Sequence, residues 1–289
     1  MLIAQISDLH IRPRGQLAYG VSETNLFAEH AIHALLRLDP QPDCVLVTGD
    51  VTDCGLEEEY AIAAELFSRL PFPAYAVPGN HDLREPFRRA FARGDYLPAR
   101  GPLNYAVWCG PMRIIGLDSV VAGASHGELP PETLAWLDAT LAADRHAPTL
   151  VMLHHPPFDT GIGHMDAARL FKGAEGLERV VAAHPQIQRV LCGHVHRSIQ
   201  QLFGNTLCQI APSVGHQVAL DLHADAASCF VLEAPEFLLH HINQGRVVTH
   251  VAKVDRAPGP FPFILPKEYP GRAGASARAA TGEQLAVHS

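Results

Sequence analysis

The sequence predicts an α/β fold. First, short apolar runs alternate with segments of helical periodicity through the first two-thirds of the 289-residue chain, a pattern typical of strands covered by helices. Second, several runs end in Asp, Asn or His, and open α/β sheets bind ligands beyond the carboxyl ends of their strands. The stretch CVLVTGDVTD (residues 44–53) shows both features, because a strand of the fully buried type is followed by Gly49 and Asp50.

The composition is that of an ordinary globular protein, and it limits the expected partners. The chain is 47% hydrophobic and 18% charged, with a net charge of −8 and no dense run of Lys and Arg. We therefore expect neither a nucleic-acid polymer nor a membrane as a partner. No segment approaches the ~18 apolar residues of a membrane span, and the start MLIAQISDLH lacks a basic leader. The six cysteines form no CxxC pair, so we expect reduced thiols in a cytoplasmic protein.

The first half of the chain is predicted to alternate strands and helices. Ser22 or Thr24 can cap the first helix, Pro40 ends it, and three glutamates favour the start of the second helix. The predicted elements are a strand at 2–6, a helix from residue 22 or 24 to about residue 38, a strand ending at Thr48, a helix at 57–70, a strand at 74–77 and a helix at 84–92.

The second half is predicted to be richer in strands. Gly204-Asn205 is a typical hairpin dipeptide, and Pro131 is favoured at the first position of a helix. The predicted elements are strands at 104–108 and 113–117, a helix at 131–143, a strand at 149–153, a helix at 177–183, strands at 187–191, 199–203 and 206–210, and a last hairpin at 237–243 and 246–253. The Pro-, Gly- and Ala-rich tail after residue 257 is predicted to wrap a neighbour or to stay disordered.

Potential metal ligands follow five of the predicted strands. They are Asp8 and His10, Asp50, Asn80 beside His81, His154, and His194 with His196. In extended backbone, residues two apart point the same way, so each D-x-H or H-x-H pair can face one ion. Glycines at 49, 79 and 193 allow sharp turns just before a ligand. Mixed oxygen and imidazole ligands suit Zn, Mn or Fe, and the lack of a thiolate argues against a structural zinc site.

These motifs resemble those of the calcineurin-like metallophosphoesterase family, which run DxH, GD, GNH, H with a following Pro, and GHxH. The resemblance covers residues 1–225 and is strongest to bacterial binuclear-metal glycerophosphodiesterases and class III cyclic-nucleotide phosphodiesterases. It extends to Ala18-Tyr19-Gly20, Asn80-His81-Asp82, His154-His155-Pro156-Pro157 and Gly215-His216-Gln217-Val218.

The resemblance implies a four-layer α/β/β/α metallophosphoesterase sandwich with a small C-terminal β cap. Residues 1–225 would form the catalytic domain, and residues 226–289 would supply the C-terminal strands and a tail for capping or oligomerisation. It also implies an enzyme that hydrolyses small phosphodiesters with hydroxide activated by two Fe, Mn, Zn or Co ions. Like many relatives, the chain would form a homo-oligomer.

Site residues follow from the resemblance, position by position. One ion would be held by Asp8, His10 and His196, the other by Asn80, His154 and His194, and Asp50 would bridge the two. His81 would be catalytic, because it would face the phosphate and stabilise charge or protonate the leaving alkoxide. Tyr19 and His216 would line the substrate pocket together with Asn80 and His81.

Three questions stay open at the level of sequence. The ligands do not choose the metal pair, and nothing separates glycerophosphodiesters from cyclic nucleotides as substrates. A phosphomonoesterase of the same fold is an alternative, as is a non-catalytic binding scaffold, although a scaffold is expected to have lost ligands.

Three motifs have more ordinary interpretations. His155 should point away from its neighbour His154 and serve a structural role, and Asp82 is expected to support a ligand loop rather than bind metal. The run from Gly123 to Gly127 matches the G-x-S-x-G nucleophile elbow of serine hydrolases. That motif requires a helix at once, whereas Pro130 and Pro131 delay the next helix, so we do not expect a serine hydrolase.

Overall fold

The computed structural model describes residues 1–243 and 245–261. The strands are β1 (Leu2–Ile6), β2 (Cys44–Val47), β3 (Ala74–Ala76), β4 (Tyr105–Cys109), β5 (Met112–Gly116), β6 (Gly127–Glu128), β7 (Thr149–Met152), β8 (Leu170–Lys172), β9 (Ile187–Cys192), β10 (Ile199–Phe203), β11 (Thr206–Ile210), β12 (Gln217–Val218), β13 (Phe230–Val231), β14 (Glu236–Asn243) and β15 (Arg246–Lys253). The helices are α1 (Thr24–Leu36), α2 (Glu57–Phe67), α3 (Arg84–Ala90), α4 (Pro131–Ala142), α5 (Gly163–Asp166) and α6 (Ala174–Ala183), with a 3₁₀ turn at Ala92–Gly94.

Two large sheets carry most of the strands. The first has the order β15-β14-β1-β2-β3, and the second has the order β10-β11-β9-β7-β5-β4. β1 to β3 are parallel to one another, and β5, β7, β9 and β11 are parallel in the second sheet. The carboxyl ends of the parallel strands therefore lie at one edge of each sheet. In open α/β sheets, this is the edge where ligands bind.

Alternation along the strands produces four layers. In β1, Ile3 packs into the apolar layer between the sheets, whereas Ala4 and Ile6 face the core that includes α1 and α2. In β7, Leu150 packs between the sheets, and Val151 faces the core that includes α4 and α6. The predicted α/β/β/α sandwich is confirmed, since both central sheets bury side chains on two faces.

The starts of the helices agree only partly with the prediction. α4 begins at Pro131 as expected, and α2 begins with three glutamates. The predicted cap of α1 by Ser22 or Thr24 is wrong, because no side chain caps that helix. The Thr24 hydroxyl instead donates to the carbonyl oxygen of His10 at 2.6 Å, and so supports the loop after β1.

Several short elements were not predicted. β6, β8, β12, β13 and α5 are only two to four residues long. Such segments are too short to establish a periodicity of 2 or about 3.6 residues, so the apolar pattern does not reveal them.

The predicted last hairpin is present, and it extends the first sheet. β14 pairs antiparallel with β1, and β15 pairs antiparallel with β14. The division of function at residue 225 stays a prediction. Residues 262–289 of the predicted tail, and residue 244, lie outside the described residues. Within the described ranges, no helix is long and apolar enough to cross a membrane.

Candidate metal centre

All seven predicted ligands lie just beyond strands of the two sheets, and the structure brings them together. Asp8 and His10 follow β1, Asp50 follows β2 and Asn80 follows β3. From the second sheet, His154 follows β7, and His194 and His196 follow β9. The loops after β1 and β2 run side by side, since the Asp8 amide donates to Gly49 O at 3.1 Å and the His10 amide donates to Asp50 O at 3.0 Å.

Asp50 lies at the centre of the cluster. Its Oδ2 is 3.7 Å from His10 Nε2 and 3.2 Å from His154 Nε2. Its Oδ1 accepts a hydrogen bond from the His81 amide at 2.9 Å. One carboxylate therefore faces imidazoles from both sheets, the position that a bridging ligand requires.

The other ligands divide into a group on each side of Asp50. On one side, His196 Nε2 lies 3.1 Å from His10 Nε2 and 3.6 Å from Asp8 Oδ1. On the other side, His154 Nε2 lies 3.2 Å from Asn80 Oδ1 and 3.2 Å from His194 Nδ1. These distances are short enough for each group to share one cation.

Hydrogen bonds on the far side of three of the rings fix which nitrogen faces the centre. His154 Nδ1 donates to Thr48 O at 2.8 Å, and His196 Nδ1 donates to His216 O at 2.7 Å. His10 Nδ1 donates to Asp53 Oδ1 at 3.1 Å. In its neutral form, each of these three rings carries its proton on Nδ1 and turns the Nε2 lone pair inward.

This arrangement fits bound metal ions. Imidazole nitrogens and carboxylate oxygens, which are all lone-pair donors when the rings are neutral, converge at 3.1–3.7 Å. All of these groups except Asn80 are buried, so water does not screen their repulsion. Cations satisfy such a donor set, and neutral imidazoles and carboxylates are the forms that bind them.

The charges in the cluster perturb one another strongly. Burial raises the pKa of Asp8 to about 6, and the Asp50 carboxylate adds to this effect. Burial opposes a charge on His154, but Asp50 and Asp8 outweigh it and raise its pKa to about 9. Burial and nearby imidazoles lower the pKa of His196 to about 3. Positive charge is therefore favoured between Asp50 and His154, where the second group of ligands begins.

The backbone of the ligand loops differs from the prediction. The extended conformation expected for the D-x-H and H-x-H motifs is wrong, because φ is +55° at Asp8, +47° at His10, +74° at His194 and +58° at His196. Asp50 is also left-handed, with φ of +47°. Residues without glycine's freedom rarely adopt this region, and such strain persists where surrounding contacts hold it.

Close approach explains the glycines that precede the ligands. A Cβ atom at Gly49 would overlap the His154 ring, and one at Gly79 would overlap the Asp50 carboxylate. At Gly193 it would collide with Ser7 Oγ and Thr48 O. Of these three glycines, only Gly49 has a positive φ. Lack of space for a Cβ atom therefore explains all three glycines, whereas the predicted sharp turn explains only Gly49.

The predicted catalytic residue, His81, lies beside His10 and Asp53, close enough for the three side chains to hold a metal ion together. Its ring centroid is 4.7 Å from that of His10, and its Nδ1 donates to Asp53 O at 2.6 Å. That hydrogen bond leaves Nε2 as the ring nitrogen that can face a substrate. The side chain is partly exposed, as a group that meets substrate must be.

The structure places the predicted substrate residues next to the first group of ligands. His216 is buried, and its ring centroid lies 4.8 Å from that of His196 and 5.2 Å from that of His10. Burial and the neighbouring imidazoles lower the pKa of His216 to about 2, so it is neutral. Tyr19 lies farther out and packs edge-on against His216, with 5.4 Å between the ring centroids.

Asp82 is a support, as its position suggests, but the prediction that His155 points away from His154 is wrong, because its ring centroid lies 4.8 Å from that of His154 and 4.9 Å from that of His194. Asp82 accepts hydrogen bonds from the amides of Val51, Thr52 and Gly79 at 3.0–3.2 Å, and so braces the Asp50 loop. His155 Nδ1 lies 2.8 Å from Ser119 Oγ, and its Nε2 donates to the carbonyl oxygen of Ser125 at 3.2 Å.

Ser125 lies in no nucleophile elbow. The next helix, α4, starts only at Pro131, after the short strand β6. The serine-hydrolase alternative is therefore excluded by the local structure.

Asp53 was missed in the sequence, although it belongs to the stretch that contains Asp50. Its carboxylate holds His10, its carbonyl oxygen holds His81, and it pairs with Arg12 at 3.4 Å. Arg12 also contacts the buried Glu59 at 3.0 Å. The only signal in the sequence was an acidic residue three positions after Asp50, which by itself does not distinguish a support from a surface charge.

Comparisons with known proteins agree with this geometry. Residues 1–198 match a protein-family model described as calcineurin-like phosphoesterase. The chain is 38% identical over 268 residues to the probable glycerophosphodiester phosphodiesterase GpdQ of Arcobacter nitrofigilis. The aligned region covers 92% of this chain and 98% of that protein. It is 30% identical over 258 residues to the 3′,5′-cyclic adenosine monophosphate phosphodiesterase CpdA of Pseudomonas aeruginosa, covering 88% and 90% of the two chains. A dimetal phosphatase from Danio rerio has the same fold, with a TM-score of 0.65 at 14% identity over 88% of this chain and 96% of that one.

Proposed function

The chain belongs to the calcineurin-like phosphoesterase family and is a metal-dependent phosphodiesterase, and we propose that small phosphodiesters, either glycerophosphodiesters or cyclic nucleotides, are its substrates. The observation that carries the proposal is the convergence of six candidate metal ligands on the two sides of a seventh, Asp50. A relative named for each substrate class matches most of the chain, so both classes stay under consideration.

The proposed centre holds two divalent ions per chain, of Fe, Mn, Zn or Co. Asp8, His10 and His196 would bind the first ion, and Asp50 would bind both. The second ion would be bound by Asn80, His154 and His194. When bound, such ions act as Lewis acids toward a phosphoryl oxygen and lower the pKa of water to supply a nucleophile.

The side chains around the ions have separate proposed tasks. Thr48 O, Asp53 and His216 O hold the imidazole rings and thereby keep the lone pairs directed inward. His81 would face the phosphate through Nε2, because its Nδ1 proton is committed to Asp53 O. From that position it would stabilise developing charge or deliver a proton to the leaving alkoxide.

Substrate would enter past the open side of the cluster. Asn80 and His81 are the half-buried members of the site, and Tyr19 is exposed at its margin. His216 forms the wall between Tyr19 and His196. Asn80 would therefore meet both an ion and the substrate.

Two alternatives are less well supported. A phosphomonoesterase would use the same ligands, and it is the second candidate because the fold is shared with a dimetal phosphatase. A non-catalytic scaffold would have no need for seven ligands held in strained or hydrogen-bonded positions.

A substrate panel tests the proposed class. We expect bis(p-nitrophenyl) phosphate, glycerophosphodiesters or cyclic nucleotides to be hydrolysed faster than monoesters with matching leaving groups. Because the net charge of the chain is −8, the proposed ions would be the main positive charge that binds an anionic substrate. A diester with one negative charge can bind to them. The measurement is kcat/KM after reconstitution with each metal, and a preference for monoesters across several leaving groups would favour the phosphatase alternative.

A homo-oligomer and a cytoplasmic location are further parts of the proposal. Exposed leucines at positions 220, 222 and 232 and the exposed valines of β15 supply apolar surface of the kind that subunits cover. Light scattering of the full chain measures the assembly, and a monomer at all concentrations would remove that part. The cytoplasmic location rests on the six free thiols.

A further inference from the structure

Two aromatic rings lie at the margin of the metal centre and belong to no proposed ligand. Tyr19 and Phe230 have ring centroids 5.4 Å apart, with 38° between the ring planes. Phe230 also packs on His216, with 5.0 Å between the centroids, and His216 contacts the ligand His196. The aromatic pair is thus connected to the ligands by a single imidazole ring.

The Tyr19 side chain is exposed, and its backbone is in a strained conformation. Its side chain is 59% exposed, and its φ is +51°. The turn that carries it is closed by two hydrogen bonds between the main chains of Ala18 and Ser22, each of 2.9 Å. A large aromatic side chain in strained backbone, exposed beside the proposed metal centre and fixed by a tight turn, is typical of a surface that binds a ligand.

Phe230 comes from a distant part of the chain and meets Tyr19 through β-structure. It lies in β13, which pairs with β12 directly after His216. Tyr19 remains an uncharged phenol, because partial burial and the carboxylates of Asp53 and Asp50 raise its pKa to about 12. The pair therefore offers neutral aromatic faces next to the proposed metal centre.

We propose that Tyr19 and Phe230 form a stacking platform for a nucleobase, so that the preferred substrate is a nucleoside phosphodiester. This inference rests on the proposed function and chooses between its two substrate classes. Bases stack on aromatic side chains whatever their sequence identity, and each such contact contributes strongly to binding. A glycerol group would instead need hydrogen-bonding partners, whereas the exposed neighbour of Tyr19 in the turn is Val21.

A choline headgroup is the main competitor, because quaternary ammonium ions bind in aromatic cages. The geometry favours the base. The planes of the two rings are 38° apart, which is closer to a parallel stack than to the steep angle between the walls of a cage. A flat ring can extend such a stack.

The test compares three diesters with the same metal-loaded enzyme. They are 3′,5′-cyclic AMP, glycerophosphocholine and glycerophosphoglycerol, and the variant is Phe230→Leu. We expect kcat/KM for cyclic AMP to fall about tenfold, as for loss of a stacked ring, while both glycerol diesters stay within about twofold. Phe230→Tyr should keep the activity toward cyclic AMP, because an aromatic ring is retained.

Phe171→Leu is the matched control, because Phe171 is also 59% exposed but packs near His126 instead of the metal centre. Metal content per chain checks that each variant keeps its site. An equal loss for all three diesters would overturn the platform, as would a loss confined to glycerophosphocholine. If the wild type hydrolyses no diester with any metal, the proposed function itself fails, which is a different result.

Discussion

At the residue scale, Asp50 and His81 are neighbours with different proposed tasks. Asp50 Oδ2 lies between His10 Nε2 and His154 Nε2, so its removal would take a ligand from both proposed ions. We predict that Asp50→Ala loses bound metal and activity together. Metal analysis and kcat on one preparation measure both effects.

His81→Ala is the matched comparison, because His81 contacts the same loop but is not a proposed ligand. We predict that it keeps its metal and loses about 10²–10³-fold in kcat, as expected for loss of a proton donor or charge-stabilising group. The loss should be smaller for diesters with good leaving groups if His81 donates the proton. A His81→Ala protein that has lost an ion would make His81 a ligand, and full activity on a poor leaving group would remove it from the mechanism.

The identity of these residues could be inferred from the sequence, but their protonation could not. Asp50 and His154 stand directly after recognisable apolar runs, so their common edge was predictable. The direction of the His154 lone pair depends on Thr48 O, and that of His196 depends on His216 O. Main-chain carbonyls are present at every position, so the sequence contains no signal that these two are used.

At the scale of elements, the turn between a strand and its ligand controls the site. Gly79 follows β3, and a Cβ atom there would overlap the Asp50 carboxylate. We predict that Gly79→Ala lowers metal affinity about 10–100-fold, the range seen when groups that orient ligands are changed. Isothermal titration with Mn²⁺ or Zn²⁺ measures the affinity.

Gly163→Ala is the control for that substitution. Gly163 also has no positive φ, and the nearest atom to a Cβ there is Ala224 O at 3.8 Å. Its metal affinity should match that of the wild type. Unchanged affinity in Gly79→Ala as well would show that Asp50 moves freely, contrary to the tight packing proposed here.

β14 carries a buried histidine whose charge state links stability to pH. His240 Nε2 lies 3.1 Å from Gln5 Oε1, and burial, aided by Arg189, lowers the pKa of His240 to about 3. An unfolded histidine titrates near 6.5, so only the unfolded chain takes up this proton between the two values. The contribution of His240 is therefore fully present above about pH 6.5 and is lost as the pH falls below it.

We predict that His240→Gln removes this dependence. Between pH 7 and pH 5, the unfolding free energy of the variant should fall by about 2 kcal/mol less than that of the wild type. Urea unfolding of both proteins at both pH values measures these free energies. With equal metal loading, the titration of the proposed ligands contributes equally to both proteins and drops out of the difference between them. Equal losses in the two proteins would show that His240 is already charged or hydrated in the folded state.

The long strands and helices were predictable because their apolar periods extend over several turns or pleats. The sequence did not predict the left-handed backbone at four ligand positions, which are Asp8, His10, His194 and His196. An extended D-x-H motif would also bring both side chains to one face, so the motif does not distinguish the two conformations. Thr24 illustrates the same limit, because a residue favoured as a cap serves the His10 loop instead.

At the scale of the whole molecule, the metal centre depends on how the two sheets are joined. Three of the proposed ligand positions come from β7 and β9, and the others come from β1, β2 and β3. Gln5 joins the sheets behind the ligands, because its amide donates to Thr48 Oγ1 at 3.0 Å and to Cys192 O at 3.1 Å. Each ion in the proposed centre would therefore connect both sheets, and binding should stabilise the fold.

The number of bound ions tests this account most directly. Protein purified without chelators and saturated with Mn²⁺, Zn²⁺ or Co²⁺ is passed through a desalting column, and its metal and protein contents are measured by elemental analysis and amino-acid analysis. The arrangement of ligands on both sides of Asp50 predicts a plateau of two ions per chain, with the ion near neutral Asn80 lost first on dilution. A plateau that never exceeds one ion per chain with any of these metals would contradict the binuclear centre.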